Sequence, residues 1–133
     1  MNRITRRTFI GATSLFAAGT LTSCMKEEKP KPALTHHVFF WLKNPGSEAD
    51  RNKLIEGLRT LARIETVREL HIGIPASTEK REVVDNTYSV SELMFFDDVE
   101  GQNIYQEHPV HKEFVENYSH LWDRVIVFDA IAV

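Results

Sequence analysis

From Leu34 onward the chain switches between two hydrophobic periods. THHVFFWLK, Thr35 to Lys43, is β-branched and aromatic, and both alternating faces are apolar: His37, Phe39 and Trp41 on one, Val38, Phe40 and Leu42 on the other. That pattern predicts a strand covered on both sides. Asn44-Pro45-Gly46 reads as a turn, and Ser47 with Asp50 three residues on reads as a helix N-cap in a capping-box arrangement. Leu54, Ile55, Leu58, Leu61 and Ile64 then recur at helical spacing opposite Arg51, Lys53, Glu56, Arg59 and Arg63. This is the pattern of an amphipathic helix laid on a sheet.

Val67 to Ile74 predicts a second strand ended by Pro75, and Pro75 to Asn86 is polar and longer than a hairpin needs, the length of a flap. Thr87 to Phe96 reads as a third strand. Asp97 with Glu100 opens a second helix through Val99, Ile104 and Tyr105, which Pro109 interrupts because proline has no amide hydrogen and disfavours helical geometry before it. Pro109 also suits the first position of a new helix through His111, Phe114, Val115, Tyr118 and Leu121. Arg124 to Val133 forms the closing strand.

The order β-α-β-β-α-β, with its second helix broken, predicts an α+β, ferredoxin-like sandwich with a four-stranded antiparallel sheet. Helices cover one face of such a sheet, yet the first and last strands are apolar on both. The open face therefore calls for a partner, and a symmetric homodimer through it is the simplest one.

Residues 1–23 do not share this patterning. Arg3, Arg6 and Arg7 precede a short apolar run from Phe9 to Leu21, too short to span a membrane and laid out as a secretory signal. Thr5-Arg6-Arg7-Thr8-Phe9-Ile10 resembles the twin-arginine export motif. Leu21-Thr22-Ser23-Cys24 resembles a bacterial lipobox, which implies that Cys24 is acylated and becomes the mature N-terminus. The alternative is a general secretory signal with an incidental cysteine. Residues 24–33 are a polar, proline-bearing tether, and residues 34–133 are the domain. The expected location is the cell envelope, anchored by lipid on the periplasmic face or at the surface.

Composition narrows the chemistry. One cysteine excludes an internal disulfide. Removing residues 1–23 takes away three arginines and no acid, so 16 basic and 19 acidic residues become 13 and 19, a formal charge of −6. An acidic domain without a Lys/Arg cluster argues against nucleic acid. No Gly-rich phosphate loop, GxSxG elbow or catalytic cysteine is present.

The candidate chemistry lies in Tyr105, His108 and His111 around Pro109. At the start of a new helix His111 meets the positive end of the dipole, which favours the neutral imidazole that a general base requires. His108-x-x-His111 has half of a zinc-type spacing, but Pro109 breaks the helix and no Cys or HExxH partner follows, so neither metal nor cofactor is expected. Asp129 is a lone carboxylate in an apolar strand, and histidine is its natural partner. His37, on the face of Phe39 and Trp41, is read either as entering the pocket of His111 or as hydrogen-bonded at a strand end. Aromatic residues near Tyr105 and His111 suit an apolar or aromatic ligand.

The opening His37-Val38-Phe39-Phe40-Trp41-Leu42-Lys43, the Tyr-x-x-His-Pro-x-His run at Tyr105 to His111 and the closing Val127-Phe128-Asp129 resemble the stress-responsive A/B barrel domain family. The resemblance implies ferredoxin-like protomers paired into a dimeric α/β barrel. One plant member is a cofactor-free polyketide cyclase, and many others have no known reaction. Its base and assisting tyrosine match His111 and Tyr105, with His37 and Asp129 at matching strand positions; Val90 stands where that cyclase has a pocket histidine. Three functions follow. One is a lipid-anchored dimeric domain that binds a small apolar ligand, with His111 and Asp129 tying helix to sheet. Another is a lyase or cyclase in which His111 is the base, Asp129 orients it and Tyr105 stabilises an enolate. The third is a haem- or metal-dependent oxygenase on the same fold.

Overall fold

A computed structural model describes residues 32–133. The signal, the lipobox with Arg6, Arg7 and Cys24, and most of the tether lie outside the described residues. Four strands, β1 (Leu34–Leu42), β2 (Glu69–Gly73), β3 (Val90–Phe96) and β4 (Trp122–Ile131), form one antiparallel sheet in the order β2-β3-β1-β4. Three helices, α1 (Glu48–Thr60), α2 (Val99–Glu107) and α3 (Pro109–Tyr118), pack on one face. This is the predicted ferredoxin-like arrangement. Among the described residues no helix is long and apolar enough to cross a membrane.

Local signals set the element ends. The Ser47 hydroxyl accepts from the Asp50 N–H at 3.1 Å and starts α1. The α2 cap is Asp98 and not Asp97: its carboxylate accepts from the Gly101 N–H at 2.8 Å. α3 begins at Pro109 as expected. The second and third strands are shorter than predicted, because Val67, Arg68, Ile74 and residues 87–89 flank the ladder outside it.

Strand parity decides what each face holds. Leu34, His36, Val38, Phe40 and Leu42 of β1 point under the helices, as do Val90, Glu92, Met94 and Phe96 of β3. Leu54, Leu58 and Leu61, on the α1 stripe and just past its end, pack on them with no exposed surface. Burial of each such leucine stabilises the fold by about 1.5–3 kcal/mol. On the opposite face no helix covers Phe39, Trp41, Ile126 and Phe128, and Phe128 is 61% exposed. The helices also stop short of β4, leaving Val125, Val127 and Ile131 on its helix side substantially exposed.

Candidate functional site

Between α2, α3 and the β1–β4 edge lies a cavity of about 330 Å³. Val38, Phe40, Phe114, Trp122, Val125 and Val127 give it apolar walls, and His36, Glu92, Tyr105 and His111 form a polar corner. It is a pocket of ligand-binding size with a few convergent polar groups.

The break at Pro109 builds one wall of this corner. In an unbroken helix the Gln106 carbonyl would accept from the Val110 N–H. Here Val110 N–H donates instead to His108 Nδ1 at 3.1 Å, and the Gln106 carbonyl is left to His111 Nδ1 at 3.1 Å. A carbonyl only accepts, so His111 Nδ1 carries the proton and Nε2 keeps its lone pair. Burial lowers the His111 pKa below the ordinary value, opposed by the Gln106 hydrogen bond and assisted by nearby His36. The ring is thus a neutral base at pH 7. His108, meanwhile, turns toward Glu65, with Nε2 3.2 Å from its carboxylate, so the two histidines diverge.

Tyr105 is buried, its ring 4.6 Å from His111 and 5.7 Å from His36 between centroids. Burial, reinforced by Glu92, raises its pKa, so the phenol stays a donor. Asp129 does not reach His111. Its carboxylate lies directly across the β1–β4 ladder from His36 and accepts from His36 Nδ1 at 2.5 Å. His37 is on the open face, stacked 4.2 Å from Phe39, where burial and the neighbouring His36 and His71 lower its pKa. Its adjacent histidine, His36, is the one in the cavity, because successive residues of a strand face opposite ways.

Glu92 was not singled out in the sequence. It is only 2% exposed, lies across from Val38 on β1 and Ile72 on β2, and its Oε1 has no hydrogen-bond partner. Desolvation pushes its carboxyl up to about 8. Its signal was the alternation Val90, Glu92, Met94, Phe96, which puts a carboxyl at an inward position. Among the described residues no cluster of three or more His, Cys, Asp or Glu is arranged to hold a metal ion.

A family model described as Stress responsive A/B Barrel Domain matches residues 34–132. No curated protein matches the chain significantly. Three solved structures superpose well. Arabidopsis thaliana At3g17210 is 25% identical with a TM-score of 0.63, covering 75% of this chain and 95% of that one. A hydroxynitrile lyase from Passiflora edulis is 19% identical with a TM-score of 0.64, over 78% and 96%. A dimeric ferredoxin-like protein of unknown function from Thermobifida fusca is 16% identical with a TM-score of 0.61, over 77% and 92%.

Proposed function

The chain belongs to the stress responsive A/B barrel domain family, and from that premise we propose that it binds a small, largely apolar molecule in the cavity beneath α2 and α3. The observation that carries this reading is the 330 Å³ space itself, apolar on most sides with one polar corner. Two copies pair through the open sheet face, a reading supported by the dimeric relative and by the exposed Phe128. Export through Arg6 and Arg7 and acylation at Cys24 place the domain at the cell envelope, held to a membrane by lipid. Titration with butylbenzene, followed by methyl NMR, tests the cavity: shifts should concentrate on Val38, Val125 and Val127. Shifts confined to the open face, or none with butylbenzene and with butyrophenone alike, remove the reading.

A second reading, proton-transfer catalysis, is favoured by the geometry of His111. A neutral imidazole with Nδ1–H tied to a carbonyl presents Nε2 as base, and the Tyr105 phenol lies beside it to hydrogen-bond a developing enolate oxygen. The Gln106 carbonyl, in place of Asp129, orients this base. The Passiflora edulis relative is a lyase on this fold, so the scaffold accommodates chemistry of that kind. Deuterium exchange at the α-carbon of butyrophenone should be accelerated by the protein and lost in His111→Ala. Equal exchange in both would end the catalytic reading and leave the binding one.

A further inference from the structure

We propose that Glu92 selects the occupant of the cavity: its carboxyl donates a buried hydrogen bond to the oxygen of an uncharged carbonyl compound. This rests on the cavity being the binding site, and on three observations beyond that reading.

First, His36 is taken up by Asp129 and His111 Nδ1 by the Gln106 carbonyl, which leaves His111 Nε2, the Tyr105 phenol and the Glu92 carboxyl as the groups of the corner open to an occupant. Glu92, nearly fully buried at mid-sheet, has Oε1 unpartnered. A buried polar atom without a partner is uncommon in a folded chain and points to a missing one.

Second, no lysine or arginine lines the cavity, so nothing compensates an ionised Glu92. Burial accordingly favours its neutral form, whose O–H is a donor. Third, the same environment favours the neutral form of His111, so these walls disfavour cations as well as anions. A hydrocarbon would leave the carboxyl unpaired, a carboxylate would meet an acid in apolar surroundings, and an ammonium would require Glu92 to ionise. A neutral ketone or aldehyde satisfies the group at no charge cost.

The test compares three probes of similar shape on the purified protein by NMR titration: butylbenzene, butyrophenone and 4-phenylbutylammonium. At pH 6 to 7 butyrophenone should bind on the order of tenfold more tightly than butylbenzene, the effect of one satisfied buried hydrogen bond. In Glu92→Leu this preference should vanish while butylbenzene binding persists. Glu92→Gln, which keeps a donor, should retain the preference and lose its dependence on pH, whereas the wild type should lose preference as pH rises past about 8. If Glu92→Leu does not fold, the glutamine variant and the wild-type pH series carry the comparison. Equal binding of ketone and hydrocarbon by the wild type, an unchanged preference in Glu92→Leu, or tightest binding of the ammonium overturns the role of Glu92 and leaves the cavity reading standing. Failure of all three probes to bind the cavity overturns both.

Discussion

Replacing Glu92 by glutamine keeps its size and removes its proton, and the quantity this moves is the pH dependence of stability. In the folded chain burial pushes the carboxyl up to about 8 from an ordinary 4.5. Below pH 4.5 the folded and unfolded chains both hold the proton. Between 4.5 and about 8 only the folded chain does, so raising the pH favours the unfolded state. Each pH unit in that window costs about 1.4 kcal/mol, with a ceiling on the order of 5 kcal/mol across it. Above about 8 the loss is complete and the curve is flat. Glutamine has no proton to lose, so from pH 5 to 8 the stability difference should move in its favour by roughly 3–4 kcal/mol. Urea unfolding followed by far-UV circular dichroism at several pH values measures this, with protein concentration fixed because self-association makes apparent stability depend on concentration. Subtracting variant from wild type cancels the other titrating groups. Parallel curves for the two proteins from pH 5 to 8 would refute the reasoning, since they would mean that Glu92 titrates alike folded and unfolded.

Other perturbations read other parts of the molecule. A Cβ on Gly57 would lie 2.7 Å from the Tyr118 ring, so Gly57→Ala should lose about 1–3 kcal/mol despite alanine's better helix propensity, and the loss should shrink in a Tyr118→Ala background, which removes the clashing ring atoms. A more stable single variant in urea would contradict that packing. Asp129→Asn removes the carboxylate from the buried His36 and should cost about 1–2 kcal/mol by thermal unfolding; no change would mean the cross-strand bridge is idle. Phe128→Glu puts a charge at the centre of the open face and should halve the mass seen in sedimentation, and an unaltered mass would place the partner surface elsewhere.

The fold was legible because its signals are redundant. Ser47 capped α1 where expected, and Pro109 split the second helix at the residue that chemistry requires. The site was less legible, and the reason is parity. A strand apolar on both sides gives no indication of which side the helices take, so the pattern leaves His37 between the pocket and a strand-end hydrogen bond, whereas its neighbour His36 is the one that faces the cavity. The histidine partner of Asp129 is equally hidden, because a cross-strand pair is fixed by register, which no single strand encodes. Glu92 was masked by the apolar residues around it. Its burial depends on two neighbouring strands and a helix layer, a tertiary property that periodicity only hints at.

The carbonyl that orients His111 belongs to the main chain, and this separates two things that most sites must change together. Any residue at position 106 offers the same backbone oxygen, so the protonation pattern of the imidazole does not depend on which side chain stands there. The Gln106 side chain itself is exposed and accepts from Gln102 Nε2 at 3.3 Å along the helix. Position 106 can therefore change its side chain while the base keeps its orientation. A chain built this way can drift in sequence at that turn without dismantling its proton acceptor.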